Sequence, residues 1–299
     1  MKILVLAGGS SSEREVSLES GRCVADALLG NRHDVQTVDP AVVDVTSLNA
    51  AEWDVAIPMV HGTGGEDGAL QSQLDEIGLT YVGSSAAASE LTFDKIRTNS
   101  LLHQHGIRVA ASRVVHAHET ADEHLHAILQ LGLPIVTKPP RQGSSVGVSI
   151  VQDQSHIASA LSDAFRYDDE CLVETFIAGR EVTVPVIDGR VFPVIEIRPA
   201  AGWYDYAAKY QDDRTEYRVE PVDIPAEVAE TAVKACEVCG VTGIARVDFR
   251  IAEDGRAYLL EVNTIPGMTS HSLVPKSAAA VGLSLAEVCE LAIRNRLPR

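Results

Sequence analysis

The 299-residue chain is 45% hydrophobic and 22% charged, a globular composition whose length fits two or three packed lobes, and no apolar run approaches the ~20 residues of a membrane helix. Its 25 basic and 42 acidic residues leave a net charge of −17, which repels nucleic acid and anionic membranes, so neither is expected as a partner. Five scattered cysteines, an odd number, read as reduced thiols in a cytoplasmic protein.

Lys2–Leu6 is a continuous apolar run rather than a signal peptide, and it stops at Gly8-Gly9. Helical periodicity then covers residues 16–29. Strand, glycine turn and helix open a doubly wound α/β unit with a parallel sheet. Residues 35–38 and 55–60 continue it as strands, 69–77 as a helix and 80–82 as a short apolar piece, which closes a first lobe over residues 1–92. A second lobe, 93–178, reads as helices over 95–105 and 121–131, strands over 134–138 and 148–151, a helix over 157–165 and a strand over 171–176. Between its middle strands lies the glycine-serine loop Gln142-Gly-Ser-Ser-Val-Gly147. The third lobe, 179–299, opens with strands over 181–187 and 191–197 around Asp188-Gly189, a hairpin signal. A tyrosine-rich stretch, 202–217, has no period and reads as a long functional loop. A helix over 226–239, two strands and a helix over 285–294 complete the lobe. Cys236 and Cys239 have redox spacing, but they sit inside that helical run and read as buried thiols.

The most specific local signal is Arg246-Val-Asp248-Phe-Arg250 followed by Tyr258-Leu-Leu-Glu261-Val-Asn263. Closing the two strands with a two-residue turn at Asp254-Gly255 sets Asp248 opposite Glu261 and Arg246 opposite Asn263. Alternation then turns Val247, Phe249, Ile251, Tyr258, Leu260 and Val262 to the buried face. Opposed carboxylates with Cβ atoms about 5 Å apart repel unless a cation lies between them. With the amide oxygen of Asn263 they form an oxygen-only set suited to Mg²⁺ or Mn²⁺. The alternative is a solvent-facing polar strand face.

Lys138 ends a strand just before the glycine-serine loop, where a point charge and exposed backbone N–H groups can hold phosphate, although the P-loop order is absent. Lys95 opens a helix and could add a second cation, and the strand-end carboxylates Glu174 and Glu181 can accept from a ribose. Taken singly, the Lys138 element reads equally as an ordinary surface turn, Lys95 as a solvated surface lysine, and Glu174 and Glu181 as exposed strand-end charges.

As a set, Lys95, Lys138, Glu174, Asp248 and Glu261-Val-Asn263 resemble the ATP-grasp superfamily in order and spacing. Four longer stretches resemble the D-alanine–D-alanine ligases: Gly8-Gly-Ser-Ser-Ser-Glu13-Arg-Glu-Val-Ser17, His61-Gly-Thr-Gly-Gly-Glu66-Asp-Gly68, Tyr204-Asp-Tyr-Ala-Ala-Lys209-Tyr210 and Asn263-Thr-Ile-Pro-Gly267-Met-Thr-Ser-His-Ser272-Leu-Val-Pro275. The resemblance implies a three-lobed ATP-grasp fold and an ATP-dependent ligase that makes D-alanyl-D-alanine for the cell wall. It implies that Lys95, Lys138, Ser144 and Lys209 hold the ATP phosphates, that Glu174, Ile177 and Glu181 surround adenine and ribose, and that Asp248, Glu261 and Asn263 bind two Mg²⁺ or Mn²⁺ ions. By the same resemblance Glu13 receives the ammonium of the first D-alanine and joins Ser144 and Tyr210 in a closing group, with His61 nearby. Arg246 and the Gly267 N–H stabilise the oxyanion, Lys209 the transferring phosphoryl group, and Ser272 and Leu273 the carboxylate of the second D-alanine. A homodimer is the implied assembly. Thr175-Phe176, Pro140 and Gln142 depart from the family pattern without removing a group the chemistry needs.

ATP would turn the carboxylate into an acyl phosphate, the amine of the second amino acid would attack it, and the loops over 143–147 and 202–217 would exclude water. Relatives that make D-alanyl-D-lactate or D-alanyl-D-serine are the nearest rivals, and Tyr210 speaks for the dipeptide. Other ATP-grasp ligases and a silent nucleotide-binding regulator are more distant ones.

Overall fold

The computed structural model describes residues 1–199 and 214–297. Strands β1 (Lys2–Leu6), β2 (Asp34–Val38) and β3 (Val55–Pro58) form a parallel sheet in the order β2-β1-β3, with Tyr81 bridging to Ala56 at its edge. Helices α1 (Arg14–Gly30) and α2 (Ala69–Glu76) cover its two faces. Ile3 and Val5 meet Val24 and Leu28 of α1, while Leu4 and Leu6 meet Leu70 and Leu74 of α2. Burial on both faces is why β1 reads as an unbroken apolar run. The predicted α/β opening and its parallel sheet are present.

Helices α3 (Ala86–Phe93) and α4 (Lys95–Gln104) follow. The next sheet is antiparallel, in the order β4-β7-β5-β6, from β4 (Ser112–His116), β5 (Ile135–Lys138), β6 (Ser149–Val151) and β7 (Glu170–Thr175). Helices α5 (Ala121–Leu129) and α6 (Ile157–Ala164) close its core around Val115, Ile135, Cys171 and Val173. The last sheet runs β11-β10-β8-β12-β13, with β9 on β8. Its strands are β8 (Arg180–Ile187), β9 (Arg190–Val191), β10 (Ile195–Arg198), β11 (Glu216–Val219), β12 (Ile244–Ile251) and β13 (Ala257–Asn263). Helix α7 (Glu227–Cys239) lies on it, and α3 and α4 contact β13 and α7. Helices α8 (Leu273–Ala280) and α9 (Leu285–Arg296) return the chain to the first sheet, where Val288 and Ile293 join the core of Ile3 and Val5.

Several expectations are corrected. The apolar stretch over 191–197 is two strands, interrupted at Phe192–Val194, where Pro193 has no N–H for a ladder. The end of the tyrosine-rich stretch is strand β11, while residues 200–213 lie outside the described residues. The turn between β12 and β13 spans three residues, Glu253 to Gly255, closed by a 2.9 Å bond from Ala252 N to Arg256 O. A β-bulge between Asp248 and Phe249 on the opposing strand makes up the difference, so Arg246 still faces Asn263 and Asp248 still faces Glu261, while Phe249 faces Leu259. The extra residue reverses alternation beyond it. Leu259 is therefore the core residue, and Tyr258 and Leu260 are not. Cys236 and Cys239 are free and buried in α7, and burial pushes their thiols up to about 12 and about 11.

Candidate active site

Two open clefts, of about 1000 and about 860 Å³, meet where the three sheets converge. Both are lined by Lys95, Gln142 and Glu261.

The first contains Glu13, His61, Ser144, Arg246, Gly267 and Ser272. Glu13 precedes α1 and is buried at 7% exposure, with the Ser144 hydroxyl donating to its carboxylate. That contact crosses 131 residues of sequence. Ser144 and Ser145 take left-handed φ angles of 49° and 59°, a strained backbone of the sort found at functional turns. Gly143 packs against the same carboxylate: a Cβ there would stand 2.5 Å from Glu13 Oε2 and push it aside. His61 is buried between Glu66 and Ser20. Helix α8 begins at Ser272, whose hydroxyl does not cap the helix but accepts from Thr269 N at 3.0 Å. A helix start without a side-chain cap, lining a cleft, has N–H groups of the kind that suit an anion.

The second cleft holds Lys138, Glu174, Ile177, Glu181, Asp248 and Arg250. Lys138 and Glu174 form a 2.7 Å ion pair at 7% and 5% exposure, and Asn99 donates to Glu174 at 2.9 Å. The Glu174 carboxylate is thus held by protein donors from inside β7 and is not a loose strand-end charge. Arg250 pairs with Glu181 at 3.1 Å and lies over the Phe176 ring at 5.8 Å, a small apolar and cationic wall. Leu260, displaced by the bulge, adds to that wall. Bulges often re-aim side chains in this way beside active sites.

At the junction, Lys95 donates to the Gln142 carbonyl at 2.7 Å and lies 3.9 Å from Glu261. Its backbone N–H bonds to Pro140 O at 3.2 Å, so the start of α4 is tied to the loop on both sides. Arg246 bridges the opposed carboxylates, 2.8 Å from Asp248 and 3.6 Å from Glu261, and Thr183 donates to Asp248 at 2.5 Å. Asn263 Oδ1 accepts from Ile265 N at 3.0 Å and keeps a second lone pair. Two carboxylates and an amide oxygen that already draw cations together fit a hard divalent ion. A second acidic group, Asp168, Asp169 and Glu170, is different, because Arg141 binds all three and also reaches Asp94.

Of the residues expected at the site, Lys209 and Tyr210 lie outside the described residues. The others line one of the two clefts. Sequence reasoning missed Ser20, Asn99, Thr183 and Arg141. Thr183 faces Asp248 across the β8–β12 pairing, and strands so far apart in sequence carry no local sign of their register.

A family profile described as "D-ala D-ala ligase C-terminus" matches residues 101–294. The chain is 45% identical to the D-alanine–D-alanine ligase of Bordetella petrii over 96% of its length and 90% of that protein. It is 42% identical to that of Syntrophotalea carbinolica over 97% and 94%. Its fold is similar to the crystal structure of the Bacillus anthracis D-alanine–D-alanine ligase complexed with ATP, with a TM-score of 0.85, 32% identity and coverage of 99% and 97%.

Proposed function

The chain belongs to the D-alanine–D-alanine ligase family, and from that premise we propose how its own residues carry the reaction. It joins two D-alanines at the expense of ATP, through a D-alanyl phosphate, and releases ADP and the dipeptide used in peptidoglycan precursors. The observation that carries the assignment of roles is the meeting of the two clefts at Lys95, Gln142 and Glu261. A γ-phosphate reaching that junction from one side would meet a carboxylate reaching it from the other.

In this reading Ile177 and Glu181 flank adenine and ribose, with Glu174 setting the position of Lys138. Lys95, Lys138 and Lys209 take up phosphate charge beside the backbone of Ser144. Asp248, Glu261 and Asn263 would hold Mg²⁺ or Mn²⁺, two ions per site, and the metal would offset the charge of the phosphates. Glu13 accepts the ammonium of the first D-alanine next to His61, and Ser144 and Tyr210 close over it. Ser272 and Leu273, at the start of α8, hold the carboxylate of the second D-alanine. When its amine attacks the acyl carbon, Arg246 and the Gly267 N–H receive the negative oxygen, the N–C bond forms, and phosphate leaves with the electron pair and takes up the proton lost by the amine. The loop over 143–147 and the stretch that leads into β11 keep water from the acyl phosphate. The lobes 1–92, 93–178 and 179–299, a homodimer and a cytoplasmic site of action complete the proposal; no described helix is long and apolar enough to cross a membrane.

ADP release measured against a panel of D- and L-amino acids and D-lactate tests this. D-Alanine alone should support turnover, with dipeptide as the product. Turnover without D-alanine, or a clear preference for another acceptor, would overturn it.

A further inference from the structure

Ser20 is wholly buried on α1, and the reaction as described makes no use of its hydroxyl. That hydroxyl lies 3.2 Å from His61 Nε2 and accepts a 3.2 Å bond from the backbone N–H of Met268, 248 residues away. His61 Nδ1 faces Glu66 Oε1 at 3.4 Å. Glu66 and His61 belong to the first substrate's side of the cleft, whereas Met268 directly follows Gly267. A single serine thus ties the two together.

For a neutral imidazole, the donor and acceptor roles along this chain follow from its end. A carboxylate accepts, so His61 donates from Nδ1 and presents Nε2 as an acceptor. Ser20 then donates to Nε2, and its lone pair receives the Met268 N–H. Ser20, His61 and Met268 are 0%, 4% and 0% exposed, so water cannot easily replace any of these partners. A Cβ on Gly267 would come within 3.9 Å of Ser20 Oγ, which places the oxyanion turn directly over the serine.

We infer that Ser20 is a positioning residue for the second chemical step: it holds the 267–268 backbone so that the Gly267 N–H points at the oxygen of the carbonyl that the amine attacks. The inference rests on the ligase reading given above. It separates the two half-reactions. Phosphoryl transfer breaks the bond from the γ-phosphorus to ADP and makes one to a carboxylate oxygen, with no tetrahedral carbon. Only the amine's attack creates an oxyanion at that turn.

Ser20→Ala removes the acceptor while nearly keeping the volume. The formation of acyl phosphate is read by positional isotope exchange in ATP carrying ¹⁸O at the β–γ bridge, with D-alanine present. That rate should stay within about twofold of wild type while dipeptide kcat falls about tenfold, less than the loss of a direct oxyanion donor. Ser20→Cys, which keeps a weak donor and acceptor, should recover part of the loss. Equal falls in both rates, or no fall in either, would overturn the inference. Independently of any variant, ¹⁵N shifts of the wild-type His61 imidazole should report the Nδ1–H tautomer; the Nε2–H tautomer contradicts the chain. A wild-type protein that makes no dipeptide would instead defeat the ligase reading itself.

Discussion

In the cleft proposed for the nucleotide, Lys138, Glu174, Glu181 and Arg250 stand on strands of two sheets, and each already has a charged partner in the protein. In the cleft proposed for the amino acids, Glu13, His61, Ser144, Gly267 and Ser272 stand on turns and helix ends from distant stretches of chain. Strand ladders hold the charges proposed to meet phosphate in a set geometry. Turns bring the small substrate's contacts together, and their backbone carries the unusual angles. The first region is held by its own sheets, whereas the second exists only when separate segments meet.

The two regions share Glu261, which faces Asp248 across the β12–β13 pairing, so breaking that carboxylate pair should have the largest effect. Asp248→Asn and Glu261→Gln should each lower ligation by about 10³-fold or more while leaving the circular dichroism unchanged, since each removes charge from the cation site. Near-normal rates in either variant at low Mg²⁺ would show that the carboxylates do not hold the metal.

Glu13→Gln affects only the turn-built cleft. A hydrogen bond to a charged group contributes about 1.5–3 kcal/mol, so kcat/KM for D-alanine should drop by about 10–100-fold with ATP affinity unchanged. An equal loss of ATP affinity would mean that the clefts are not separable in this way.

Lys138→Met tests the strand-built cleft. It leaves Glu174 buried at 5% exposure without its cation, which should destabilise the protein by about 3 kcal/mol and weaken ATP binding. Adding Glu174→Gln should restore most of the stability but not the ATP affinity. Thermal unfolding and nucleotide titration distinguish these, and a double variant no more stable than the single one would refute the pairing.

The smallest effect lies away from both clefts. Asn31 and His33, just after α1, hydrogen-bond to Glu290 on α9, and these bonds hold its carboxyl below the usual range. A depressed carboxylate contributes stability that is present above its unfolded pKa and is lost as pH falls through its folded one. Glu290→Gln should therefore reduce stability by about 1 kcal/mol at pH 7 and leave kcat unchanged. The gap should close as the pH falls below the ordinary glutamate range. A gap that persists in acid would rule out the carboxylate as its source.

The same contrast governs how much could be read from the sequence. Helices and strands with a clear period, such as β1, α1, α4 and α7, lie within a few residues of their expected bounds. Helix α8 was missed because Pro275 sits in its first turn, a position proline tolerates although it looks like a breaker. Strand β4 was missed because Ser112-Arg-Val-Val-His116 alternates poorly. The opposed carboxylates were legible through strand pairing even though the turn was one residue longer than expected, because the bulge restored the register at the site. Nothing local announced Ser20 or Arg141. Their partners are 248 residues away for Ser20 and up to 47 for Arg141, and only the folded chain brings them together.

The claim that the clefts meet where phosphate passes from ATP to a carboxylate can be tested directly by following oxygen. D-Alanine carrying ¹⁸O in its carboxylate is incubated with ATP and Mg²⁺, and the released phosphate is analysed by mass. Transfer through a D-alanyl phosphate at the Lys95–Glu261 junction predicts one ¹⁸O atom in each phosphate released during dipeptide synthesis. Dipeptide formed with unlabelled phosphate would contradict it.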